Sequence, residues 1–454
     1  MTAGTVPSRV RGLAADFSWQ GTSGQIARTA GYNMAATAAA GLGGIIIARV
    51  LGPAVRGEYA AIIAWLGVTL MVGELGQQAA VCFYVSHDAA RARDYVATSR
   101  MLMLVTGLVA LIAGMALAPV LSHGNAALAT GYRIAFATTV VAFLGATYTA
   151  SLQARDLGAW NAVRVSQPVL CLLAIAVLWR LGLLTLDSAL IVLGVTMSLQ
   201  LCLSYQRCRR AGLVPGRFRP ALAGPLTAYG AAQIAALAPA TLNAKLDQLV
   251  LSQAVPAADL GCYAVAVSLT LLPVALVSAI GYVAFPSLAS RGALTDAARR
   301  MQSRAVIASA VIAVAVLVPL SVTAPWLVPL AFGPGYAKAV PLLWVLAPGA
   351  VFLACGGVAG DLLRGRKQPL TVAWAQGMAA VFTVVLLFAL LPAAGVFAAA
   401  IASTVAYGVS LALLLRALWR PGSTGDGDRR SGMGKELRRA AGAPPVTGDA
   451  CELG

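Results

Sequence analysis

Glu74, Gln77 and Gln78 stand at i, i+3 and i+4, which puts one carboxylate and two carboxamides on a single helical face. The run around them is apolar, so the stripe either lines an aqueous cavity or forms a polar seam against another helix. Asn243, Lys245, Asp247 and Gln248 interrupt a second apolar run. Asn243 and Asp247 share a face at i, i+4, and Lys245 and Gln248 share an adjacent one at i, i+3. Lys245 is the one cation buried deep in a predicted span, the others lying near span ends or in connections. In low dielectric it either holds a phosphate-bearing substrate or pairs with a carboxylate on another helix, Glu74 being open for that role. Arg28, beside Tyr32 and Asn33, sits at the mouth of the first run, where it receives an anionic headgroup or snorkels to the interface. Asp361 and Arg364, at i, i+3, are expected to pair with each other.

Other chemistries lack their residues. The sequence has no P-loop, no GxSxG, no metal-ligand cluster and no CxxC, and its two histidines, His87 and His123, fall in loops. No metal, cofactor, nucleic-acid partner or catalytic residue is therefore expected, and energy must come from an ion gradient or from the substrate's own gradient.

The elements carrying these residues follow from composition. Of 454 residues 59% are hydrophobic and 11% charged, against about 25% charged in soluble proteins. That is enough apolar sequence for about twelve spans of about 20 residues. Runs at 28–49, 57–84, 98–121, 133–153, 159–180, 186–205, 224–252, 258–285, 304–326, 338–362, 369–390 and 394–417 predict an all-α polytopic membrane protein. The 33 Lys and Arg residues test the partition. All fall on one set of alternate connecting segments except Arg49, Arg56, Arg133, Arg180, Lys338 and Lys245. By the positive-inside rule both termini are then cytoplasmic and the chain is multi-pass in the cell membrane. Residues 1–24 read as a polar cytoplasmic arm without a cleavable signal, and 419–454 as a basic disordered tail.

The halves repeat. Gly57-Glu-Tyr59-Ala60 opens the second span and Gly261-Cys-Tyr263-Ala264 the eighth, 204 residues later; Asp88-Ala-Ala-Arg91 and Asp296-Ala-Ala-Arg299 follow them in turn. Six spans per half give both halves the same orientation, so two six-helix lobes, 25–205 and 224–418, are expected about a pseudo-two-fold along the membrane normal, joined by a basic loop at 206–223. Lobes of this kind enclose a central cavity and rock to open it to either side.

Ala48-Arg-Val-Leu-Gly-Pro53 followed by Gly57-Glu-Tyr59-Ala60 resembles the first loop of bacterial polysaccharide biosynthesis proteins. These are the lipid-linked oligosaccharide flippases of the multidrug/oligosaccharidyl-lipid/polysaccharide exporter superfamily. Phe332-Gly-Pro-Gly-Tyr336-Ala, the Asp361 to Lys367 turn, Leu391-Pro-Ala-Ala-Gly395 and the Lys245-Leu-Asp247 run are similar to later parts of that family. The resemblance implies a flippase that moves an undecaprenyl-pyrophosphate-linked oligosaccharide by alternating access, with its polyprenyl tail left in membrane lipid. Arg28, Arg49 and Lys245 are then the expected anion contacts. Glu74, Gln77, Gln78, Asn243, Asp247 and Gln248 are expected to line the cavity, with Glu74 and Asp247 as carboxylates for H+ or Na+ coupling. Glycosyltransferases or a polymerase of the same pathway are expected partners. The alternatives are a cation-coupled multidrug exporter of the same fold and a non-transporting scaffold for polysaccharide assembly. A membrane glycosyltransferase would need long outer loops, and none exceeds about a dozen residues.

Overall fold

A computed structural model describes residues 19–274, 276–277, 296–366 and 368–419. The tail at 420–454, the arm as far as residue 18, the inner end of the eighth predicted span and Lys367 lie outside them. Every described element is helical, as it must be where a lipid-embedded backbone has to satisfy its own hydrogen bonds. In chain order they are α1 (Trp19–Gly73), α2 (Gln77–His87), α3 (Ala92–Leu121), α4 (Ala126–Ala137), α5 (Thr139–Arg155), α6 (Leu157–Arg180) and α7 (Leu186–Arg210). Then follow α8 (Pro220–Ala254), α9 (Ala257–Thr270), α10 (Asp296–Phe332), a 3-10 turn (Pro334–Tyr336), α11 (Ala339–Gly365), α12 (Pro369–Ala394) and α13 (Val396–Trp419).

Ten of the described stretches are long and apolar enough to cross a membrane. The first, Arg28–Gly73, holds the first predicted span and most of the second, merged across a kink at Gly52, whose φ of 76° puts it in the left-handed region that suits glycine. With α8 these account for the twelve predicted spans. Three details differ from the sequence reading. Residues 19–24, expected in the polar arm, already open α1. The second span breaks at Glu74–Gly76, where Leu75 and Gly76 both take positive φ (48° and 64°). The fourth, read as 133–153, begins at Ala126 and changes helix at Thr138. Asn125 starts it, its side chain accepting from the Ala127 and Leu128 amides.

The helices pack as two lobes. In the first, α1 lies on α6, α3 and α2 lie on α5, and α7 joins α5 and α6; in the second, α13 packs between α11 and α12, with α10 and α9 on α11. α8 belongs to both. Its first part packs on α2 and α3, where Leu222 and Leu226 share a buried cluster with Ala80, Val81 and Tyr95 and the Phe83 and Tyr229 rings stack at 4.6 Å. Its later part packs on α12.

Most basic connections lie at one end of the bundle. At the opposite end α1 crosses α9, and one apolar cluster continues from Ala48, Ala60 and Ala61 into Tyr263, Leu343 and Ala399 of the second lobe. The contact is reciprocal, as a two-fold relation requires. A Cβ on Gly57 would overlap the Ala257 carbonyl and lie 2.9 Å from the Gly261 amide nitrogen. One on Gly261 would overlap the Pro53 carbonyl and lie 3.1 Å from the Gly57 nitrogen. The repeated glycines thus meet each other. Trp65 donates to Ser252 Oγ at 3.1 Å and Tyr336 to the Ala48 carbonyl at 2.8 Å across the same interface. Tyr336→Phe should cost about 1 kcal/mol, the net worth of a buried hydrogen bond plus an orphaned acceptor. Thermal unfolding in detergent checks this, and an unchanged midpoint would count against it.

Candidate functional site

The polar residues that interrupt the spans gather in two clusters, one per lobe. In the second lobe Asn243 and Asp247 are both 3% exposed and share one face, as their spacing requires. Thr383 of α12 donates to Asn243 Oδ1 at 2.7 Å. Asp247 Oδ2 accepts from the Tyr263 hydroxyl of α9 and, at 3.4 Å, from Ser403 of α13, while Oδ1 takes the Gln248 amide. The carboxylate therefore has a full set of donors and no cationic partner at salt-bridge distance. Lys245 and Gln248 lie half-buried on the adjacent face. Among the described residues no hydrogen bond or ion pair engages the Lys245 ammonium. The Lys245–Glu74 pair considered from sequence is not formed.

In the first lobe the break at Glu74–Gly76 shapes the site. Gly76 fits where it does because α8 passes so close there that a Cβ would lie 2.9 Å from Gly230 Cα. α2 then restarts at Gln77, which is 1% exposed. Ser99 of α3 donates to Gln77 Oε1 at 3.1 Å, and Thr147 Oγ1 of α5 stands 3.5 Å from the same hydroxyl. Gln78 is the hydrogen-bonding neighbour of the Glu74 carboxylate, yet Glu74 Oε1 and Gln77 Nε2 are buried with no protein partner. Buried polar atoms left open in this way fit a group that binds something outside the chain.

The predicted arginines do not join either cluster. Arg49 is spent at the lobe interface, its Nη1 donating to the Leu330 carbonyl and, at 3.3 Å, to that of Ala331. Arg28 is exposed one residue before Thr29, which accepts from Asn161 Nδ2 at 3.0 Å. Asp361 and Arg364 pair at 2.6 Å as expected. Arg56, named from sequence among the outer basic residues, lies with its guanidinium 5.5 Å from the Tyr59 ring and its Nε buried without a partner. Sequence reasoning missed Tyr263, Thr383, Ser403, Ser99 and Thr147. Tyr263 alone carried a signal, as part of the repeated tetrad.

Comparison with known proteins gives the lineage. Residues 27–291 match the family described as polysaccharide biosynthesis protein. Among curated proteins none matches. Among solved structures the chain is similar to lipid II flippase MurJ in an inward closed conformation (TM-score 0.72, 12% identity, covering 85% of this chain and 87% of that one). It is also similar to the inward-facing conformation of a multidrug resistance MATE family transporter of the MOP superfamily (0.70, 14%, 84% and 94%) and to an outward-facing one (0.61, 14%, 87% and 94%). These likenesses establish the two-lobe, twelve-helix fold. With more than half its length matched, the chain belongs to the polysaccharide biosynthesis protein family.

Proposed function

We propose that the chain flips an undecaprenyl-pyrophosphate-linked oligosaccharide across the cell membrane by alternating access, its basic end and both termini facing the cytoplasm. The observation that carries this reading is Lys245. A half-buried ammonium with no hydrogen bond and no salt bridge among the described residues, interacting with the Asp247 charge only beyond contact distance, sits on the helix shared by the two lobes and is poised for an anion. A pyrophosphate supplies that anion, and low dielectric strengthens the attraction. Arg28 would receive the headgroup at the cytoplasmic mouth, and Arg49 would become available only when the lobes part at the opposite end.

Gln77, Gln78, Asn243 and Gln248 offer neutral hydrogen bonds suited to sugar hydroxyls. Glu74, with one open oxygen, and Asp247, met by two hydroxyls and a backbone amide, are the carboxylates for H+ or Na+ coupling. Pathway glycosyltransferases or a polymerase would dock at the basic end. The chain would act as a transporter and not as an enzyme. A cation-coupled drug exporter is the second reading, favoured by the open Glu74 oxygen.

Flipping of a fluorescent undecaprenyl-pyrophosphate oligosaccharide in proteoliposomes tests the first reading. Lys245→Ala should slow flipping at least about tenfold, the loss of roughly 1.4 kcal/mol of anion binding, and Lys245→Arg should retain most of the rate. Export of a cationic dye by wild type, with no lipid-linked sugar moved, would replace it with the second.

A further inference from the structure

At the basic end three connections of the first lobe converge on a polar pocket of about 700 Å³, lined by the α2–α3 turn, the α5–α6 junction and residues 211–213. Two guanidinium groups face it, those of Arg93 and Arg155. Arg93 uses Nε to donate to the Gly212 carbonyl at 2.6 Å, which leaves its terminal nitrogens, and Arg155 makes no hydrogen bond or ion pair among the described residues. One carboxylate, that of Asp156, also lines the pocket, and its Oδ1 caps α6 by accepting the Ala159 amide at 2.9 Å. Asp94 takes the Arg217 amide at 3.1 Å and pairs with Arg219. Two guanidinium-bearing side chains thus stand against one lining carboxylate, a net positive balance, and the pocket's volume falls within the range of small-molecule sites.

We propose that this pocket binds a phosphate-bearing anion, with Arg155 and Arg93 as its guanidinium contacts. Planar guanidinium forks match phosphate oxygens, and two of them hold a phosphate ester or diphosphate from two sides. The site lies on the first lobe, away from Lys245, and stands independently of the flippase reading. Its position has a consequence. The 211–213 segment belongs to the loop that joins the lobes, and a bound anion ties that loop to α3 and α5. This adds to the tie already made where Gly216 packs against Arg93, a Cβ there falling 3.1 Å from Arg93 Cβ.

Phosphate of this kind comes from a soluble ester or from an anionic lipid headgroup, and two probes separate the sources. The full-length protein in neutral detergent is titrated with inorganic pyrophosphate by calorimetry. In parallel, native mass spectrometry counts phosphatidylglycerol adducts against phosphatidylcholine. A soluble source gives pyrophosphate binding; a lipid source gives phosphatidylglycerol adducts without it.

In either arm Arg155→Ala should weaken binding about tenfold and Arg93→Ala at least as much. Arg155→Lys should weaken it less. Arg416→Ala, which removes an arginine outside the pocket, should leave it unchanged. Unfolding temperatures confirm that each variant is folded, and Arg155, holding no structural bond, is the cleaner substitution. The proposal is overturned by wild type binding neither probe, by both pocket variants binding as wild type does, or by Arg416→Ala weakening binding as much as they do.

Discussion

Gly57→Val is expected to unseal the interface at the end opposite the basic loops, raising the maleimide labelling rate of Cys262 about ten- to a hundredfold. Cys262 is 2% exposed and lies beside Gly261 at the crossing, with its Sγ 3.9 Å from the Gly335 carbonyl. The close approach leaves no room even for a methyl group, because a Cβ at Gly57 overlaps backbone and not a yielding side chain. Overpacking costs about 1–3 kcal/mol. Here the cost falls on the closed arrangement alone, so the equilibrium shifts toward states with the crossing parted, and 1–3 kcal/mol corresponds to about 5- to 150-fold.

The measurement uses a chain that keeps Cys262 and carries alanine at the other six cysteines. Gly261→Val should act as Gly57→Val does, since the contact is reciprocal. Gly67→Val adds the same side chain to the same helix where nothing lies within 4 Å, and should leave Cys262 protected. Protection persisting in Gly57→Val, or equal exposure in Gly67→Val, would show that the crossing does not control closure.

That crossing shows how far sequence reaches. Repeated tetrads revealed two related lobes, because residues that open equivalent spans must meet equivalent surroundings. Nothing in a tetrad says that its glycines touch each other, since an axis of symmetry is a property of assembled helices. The alternation of basic connections likewise gave the number of spans, and the i, i+4 spacing correctly put Asn243 and Asp247 on one buried face. The break at Glu74–Gly76 was invisible for a physical reason. Glycine is common within membrane helices, and an apolar run at 57–84 reads as continuous whether or not two residues within it take positive φ.

Cluster partners were hidden by a different ambiguity. Serine and threonine in a membrane helix can satisfy themselves on a carbonyl three or four residues back, as Ser268 does with Ala264 at 2.7 Å. Thr383 has that choice too, with the Ala379 carbonyl at 3.0 Å, but its one proton has the nearer Asn243 Oδ1 at 2.7 Å to go to. Only the packing tells these uses apart. Arg49 shows the converse, for it looked like a mouth residue able to greet an anion, and the fold occupies it with carbonyls of α10.

Asp247→Ala is expected to destabilise the protein by about 1–3 kcal/mol, because it strands the buried Tyr263 hydroxyl. Tyr263 and Ser403 both donate to Asp247 Oδ2, and Ser403 is also within hydrogen-bond reach of the Tyr263 hydroxyl, so Tyr263 is the donor left without an acceptor when the carboxylate is removed. Their lost bonds weigh more than the average of about 0.6 kcal/mol measured between membrane helices, since the acceptor carries charge and the site lies inside protein and not against lipid.

Tyr263→Phe alone should cost about 1–2 kcal/mol by depriving the carboxylate of a donor, whereas in the Asp247→Ala background it removes a hydroxyl that has already lost its acceptor. There the same substitution should be neutral to within about 0.5 kcal/mol or should restore stability, giving a coupling energy of about 1–3 kcal/mol. Unfolding of the four proteins in one detergent supplies the cycle. Additive effects would mean that Tyr263 and Asp247 do not share a bond.

Asp247→Asn removes the charge and turns one acceptor oxygen into a donor, but with its remaining oxygen toward Tyr263 and Ser403 it keeps the acceptor that Asp247→Ala deletes, so it separates two roles that Asp247→Ala confounds. A variant that stays near wild-type stability yet flips its lipid without regard to an imposed proton or sodium gradient would assign coupling to this carboxylate. One that keeps its gradient dependence would leave Glu74, with its open oxygen, as the coupling group.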